Sequence, residues 1–152
     1  MQPTTYLRIT RASALYDIVQ ILPFATPWSF ALFHGQLSHL NVWLGGAPLP
    51  AFAPLHFVPS SLLGALVLLW SLYRLGSPSR RLGRFDAAGR LVFAFWIGWG
   101  MLQARMPVLW IFLLPEVAWG VLEAMPVAQP SGSRTLRAAF RSAAPMRSRR
   151  GG

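Results

Sequence analysis

Long apolar runs organise this chain more than any amphipathic stripe does. Apolar residues dominate Ala12 to Phe33, Phe57 to Leu75, Ala87 to Ala104 and Pro107 to Met125, with at most two charged residues in any one run. A helix rises about 1.5 Å per residue, so a hydrocarbon core of about 30 Å takes roughly 20 residues. Each run meets or approaches that length. The pattern predicts an all-α integral membrane bundle of four transmembrane helices, at about 12–33, 57–75, 87–104 and 107–125.

Only Arg105 and Met106 separate the third run from the fourth. A single helix from Ala87 to Met125 would be roughly 58 Å long, about twice the hydrocarbon thickness. It would also hold Arg105 in lipid, with Pro107 removing a backbone hydrogen bond beside it. A tight hairpin with Arg105 at the far surface resolves both difficulties.

Charge orients the bundle. Arg8 and Arg11 precede the first run, and Arg74, Arg80, Arg81, Arg84 and Arg90 flank the second connection. Arg134, Arg137, Arg141, Arg147, Arg149 and Arg150 follow the fourth run, and Arg105 alone lies opposite. The positive-inside rule places the majority side, and with it both termini, in the cytoplasm. An even number of crossings is required for this, in agreement with the count of four. The connection between the first two helices, His34 to His56, is then an outer loop. Within it QLSHLNVWL predicts a short interfacial helix, and GGAPLPAFAP interrupts regular structure.

Residues 1–128 form the predicted membrane domain. From Gln129 to Gly152 the composition turns to Ser, Ala, Gly, Pro and Arg, which predicts a disordered Arg-rich cytoplasmic tail. Such a tail attracts anionic lipid headgroups at about 1 kcal/mol per Arg near the surface. It lacks the interleaved aromatics of a single-strand nucleic-acid reader. The first run is longer than a signal-peptide core and no small-x-small cleavage pattern follows it, so it reads as retained.

Charged residues make up 12% of the chain, about half the share in soluble domains, and there is no cysteine. Disulfides, thiolate metal sites and iron–sulfur clusters are therefore excluded. Among the few polar residues inside the runs, Glu116 stands out at mid-depth with no evident cationic partner. A carboxylate there is costly and marks a candidate proton-, ion- or ligand-binding group. Pro23 and Pro27 break the first run at a similar depth. Gln20 and Gln103 are candidate hydrogen-bond partners for a neutral Glu116 or for a bound ligand. Asp17 and Glu123 lie nearer the inner surface, where Arg11 and Arg90 are their expected ion-pair partners. His34, His39 and His56 collect on the outer side as candidate metal or haem ligands, although their spacing matches no metal signature. Ser61 and Ala65, Ala94 and Gly98, and Gly120 and Ala124 are small pairs spaced by four, expected at helix contacts. No phosphate-binding glycine loop, HExxH or dinucleotide fingerprint occurs.

The stretches RASALYDIVQILPFATPW and RFDAAGRLVFAFW, set in a layout of one helix, an outer loop and three further helices, resemble small four-helix bacterial inner-membrane proteins of the DoxX-like kind. The resemblance spans residues 8–125. It implies a multi-pass protein of the bacterial inner membrane, in a group sometimes linked to redox or quinone-associated systems. The sequence thus predicts a non-enzymatic accessory subunit or small-ligand or ion-binding bundle, with a membrane-protein partner or a second copy as its companion. A haem- or quinone-binding redox protein and a purely architectural membrane anchor are the alternatives.

Overall fold

The computed structural model describes residues 1–128, so the expected disordered tail falls outside the described residues. The described chain is all-α. Helix α1 spans Pro3–Ile21, and a 3-10 turn, Leu22–Phe24, links it towards α2, Pro27–Trp43. Helix α3 is Pro54–Gly76 and α4 is Arg80–Ala104. A second 3-10 turn, Pro107–Leu109, leads into α5, Trp110–Ala124.

Local chemistry accounts for these boundaries. Pro3, Pro27, Pro54 and Pro107 open their elements, where a missing N–H costs nothing. The Thr26 hydroxyl accepts the Ser29 N–H at 3.2 Å to cap α2, and Ser79 accepts from Leu82 at 3.2 Å to cap α4. Gly45, at φ 85°, ends α2. The turn between α4 and α5 is as tight as expected. Arg105 adopts a left-handed conformation at φ 48°, and Pro107 follows two residues later.

Three expectations need correction. The first apolar run is two helices and not one, because Thr26 takes an extended conformation between the prolines. The stretch QLSHLNVWL is no separate interfacial helix; it continues α2 without a break. Helix α4 starts at Arg80, about two turns before the expected start. Ser79 is its cap, and Asp86 is a buried residue of its interior.

Helices α4 and α5 pack as a hairpin, α1 packs along α3, and α5 closes against α1. Gly64 of α3 admits the Leu22–Phe24 turn: a Cβ there would lie 2.9 Å from the Phe24 carbonyl oxygen. Gly83 of α4 does the same for α1, since a Cβ there would collide with the Tyr6 hydroxyl. Gly120 faces Arg90 across the α4–α5 contact, in line with its expected role, whereas Gly98 has open space around it and Ala65 is exposed.

The distribution of polarity is inverted relative to a soluble domain. Among the described residues five apolar side chains are buried, against ten polar or charged ones. The outer face carries Leu62, Leu66 and Leu69 on α3, and Phe95, Trp96 and Leu102 on α4, all at least 60% exposed. Apolar surface this extensive is rare on water-soluble monomers. Among the described residues two stretches, α3 and Pro107–Ala124, are long and apolar enough to cross a membrane.

Candidate functional site

The chain has four acidic residues in all, and the fold brings all four together. Asp17 comes from α1, Asp86 from α4, and Glu116 and Glu123 from α5. They surround two arginines, Arg74 of α3 and Arg90 of α4, with Ser13 of α1 between them. Each of the six charged residues is no more than 8% exposed.

Arg90 is the hub. Its Nε donates to Asp86 at 2.9 Å, its Nη1 to Glu116 at 2.9 Å, and its Nη2 to Asp17 at 2.6 Å and to Ser13 at 3.1 Å. The planar fork of a guanidinium allows one side chain to reach three carboxylates at once. Arg74 supplies the second centre. Its Nη2 donates to Asp17 at 2.7 Å and to Ser13 at 3.2 Å, and its Nη1 faces Asp86. The other Asp86 oxygen accepts the Trp70 indole N–H at 2.7 Å. Helix periodicity makes this possible, because Asp86 and Arg90 lie one turn apart and Glu116 and Glu123 two turns apart on one face.

Glu123 is held differently. Its Oε1 accepts the Ser13 hydroxyl at 2.7 Å, while Arg74 and Arg90 stay 3.8 and 3.7 Å away. Its Oε2 is buried without a hydrogen-bond partner, as is the Ser71 hydroxyl one turn before Arg74. The end of the network nearest the C-terminus of α5 is closed by Tyr6, ahead of the first apolar run, whose hydroxyl donates to the Glu123 main-chain carbonyl at 2.9 Å.

Several sequence-based assignments change. Glu116 does have a cationic partner, Arg90, which the sequence hid because the two lie on opposite arms of the hairpin. Asp17 and Glu123 pair towards Arg90 as expected, but Arg11 is exposed and takes no part among the described residues; Arg74 stands in its place. Gln103 is exposed, roughly 20 Å along α4 from Arg90, and does not join Glu116. Gln20 is half-buried one turn after Asp17, with no side-chain hydrogen bond to the network. Pro23 lines a separate shallow groove with Val19, Leu32 and Gln36, and Pro27 is exposed at the start of α2.

The histidines lie at the other end. His34 and His39 belong to α2 and border a cavity of about 410 Å³ with Ser38, Phe52 and Phe57. His34 and His56 both pack edge-on against Phe52, at 5.2 and 5.5 Å between ring centres. His56 Nδ1 accepts the Ala53 N–H at 3.3 Å. Among the described residues no three acidic or histidine side chains gather as a metal site. Asn41 fastens this end by accepting the Val108 N–H at 3.0 Å and donating to the Ala47 carbonyl at 2.7 Å.

Arg74 and Asp86 were missed as site residues. The signal for Asp86 was its i,i+4 spacing to Arg90; for Arg74 there was only its place on the last turns of an otherwise apolar helix. No family model, curated protein or solved structure matches the chain. Fold and site together define a helical bundle with an apolar exterior around an ionic interior.

Proposed function

We propose that this chain is a non-enzymatic, multi-pass protein of the bacterial inner membrane whose buried charge network binds a small ion. It crosses four times with both ends cytoplasmic: α1 with the adjoining part of α2 as a broken first crossing, then α3, α4 and α5. The observation that carries the reading is the convergence of every carboxylate of the chain on two arginines inside an apolar shell. An intramembrane cluster of this kind is costly and is kept where ions or protons are handled. The apolar exterior supports lipid as the surrounding medium, and the resemblance of the sequence to DoxX-like proteins is the ground for placing it in the bacterial inner membrane.

The test is direct. Purified protein in liposomes is assayed for proton and alkali-cation binding and flux, beside Glu116→Gln. The variant inserts normally and has altered binding or flux. Parent-like behaviour in every assay would make the cluster structural. Topology is checked separately, since the chain has no cysteine of its own. In cells, Arg105→Cys reacts with an impermeant thiol reagent from outside, and Ser77→Cys does not.

A purely architectural role is the second reading. It draws on the way Arg90 ties α4 to both α1 and α5, which specifies helix register. A haem or quinone role draws only on the outer cavity beside His34 and His39. A Soret band in protein from haem-replete cells would favour haem, and lipid extraction would reveal quinone.

A further inference from the structure

We propose that the ion bound by this network is the proton, that the network stores two, and that Glu123 and Glu116 carry them. This rests on the ion-binding reading above and names its ion.

The first argument is charge balance. Four carboxylates against two guanidiniums leave an excess of two negative charges. Two uncompensated charges are unfavourable in a low-dielectric interior, so the network takes up positive charge from outside. An anion is excluded by sign. A metal cation requires several oxygens turned towards it and free of competing positive charge. Here every carboxylate has a guanidinium nitrogen within 4.0 Å, and no metal cluster forms among the described residues. A proton needs one oxygen only.

Geometry then assigns the sites. Asp17 Oδ2 accepts from both arginines at 2.6 and 2.7 Å, and Asp86 engages both arginines as well as Trp70. The two aspartates therefore neutralise the two guanidiniums and stay ionised. The glutamates are the surplus pair. Glu123 has the weakest ionic support, with arginines no closer than 3.7 Å, and its Oε2 is a fully buried oxygen with no partner, turned towards Arg90. That oxygen takes the first proton. Glu116, with one contact to Arg90 at 2.9 Å, takes the second.

The groups facing this pair are Tyr6, Ser13 and Asp17 of α1, Arg74 of α3, and Asp86 and Arg90 of α4. Tyr16 of α1 stands beside Glu116, its ring packed on Trp119. In each exchange the carboxylic O–H breaks, the proton passes to water, and the carboxylate retains the electron pair. Glu123 lies one residue from the end of α5, so exchange runs to the cytoplasmic side. Both protonatable residues sit on one helix, and loss of the protons charges α5 alone.

The chain has only two glutamates, which makes an infrared experiment decisive. Full-length protein in lipid nanodiscs is titrated from acid to alkaline pH while the carbonyl stretch of protonated carboxylic acids is recorded. A second sample carries glutamate with a heavy-isotope carboxyl carbon. At neutral pH the band is present, shifts completely with the label, falls by about half in Glu123→Gln, and disappears in Glu116→Gln/Glu123→Gln. If a variant does not fold, judged by circular dichroism and gel filtration, the labelled parent protein still decides the assignment. A band that ignores the label overturns the glutamate assignment. An absent band at neutral pH overturns the proposal. If sodium, potassium or magnesium, each tested alone, then binds the parent and not Glu116→Gln, the ion-binding reading survives without it. If none binds, both fail.

Discussion

Replacing Arg90 by Met tests the network most severely. The substitution keeps an unbranched, flexible stem but removes the guanidinium and its four hydrogen bonds, three of them to carboxylates. Asp17 and Asp86 retain Arg74, whereas Glu116 loses its only short cationic contact. Breaking a buried pair by removing one partner costs about 3–5 kcal/mol; with both glutamates protonated, Asp17 and Asp86 then share Arg74 alone, and one buried negative charge has no compensation. Arg90→Lys keeps the charge but not the planar fork, so it recovers one contact at most and remains clearly destabilised. Equilibrium unfolding in mixed detergent micelles, followed by far-UV circular dichroism, measures the difference. Adding Asp17→Asn to Arg90→Met removes that surplus charge and should restore part of the loss, with a coupling energy of about 0.5–3 kcal/mol. If Arg90→Met costs less than about 1 kcal/mol, the ceiling of an exposed pair, the network does not hold the bundle together.

Gly64→Ala places a Cβ 2.9 Å from the Phe24 carbonyl and should lower stability by about 1–3 kcal/mol, while Gly98→Ala, with open space around it, should not; thermal denaturation in detergent compares the two. Asn41→Ala leaves the buried Val108 N–H without its acceptor, a cost of about 1–3 kcal/mol, and hydrogen exchange at Val108 should rise with it. Tyr6→Phe removes the donor to the Glu123 carbonyl and should cost about 0.5–1.5 kcal/mol in the same unfolding assay, with faster exchange of the last turn of α5.

How far the sequence reached is clearest at individual residues. The α4–α5 hairpin was legible because Arg105, Met106 and Pro107 forbid a continuous helix on length and hydrogen-bonding grounds alone. Helices α3 and α5 were legible from apolar length. The start of α4 was not: Asp86 is a plausible cap, and only the burial of its carboxylate against Arg74, Arg90 and Trp70 shows that Ser79 does that work. The break at Pro23 and Pro27 was visible, but not that Thr26 would cap a new helix running to Trp43.

Apolar run length and proline placement are local properties, so the order of residues alone determined that this chain would be helical, and fixed the bounds of α3, the α4–α5 turn and the end of α5. Which charges meet is a property of pairs far apart in sequence. Glu116 lies 26 residues from Arg90, and Arg74 lies 57 from Asp17. Only the packing of α1 on α3, and of the α4–α5 hairpin across them, turned four scattered acids into one ionic interior. A buried charge is stable only where a partner is held beside it, and that partner was chosen by the tertiary fold.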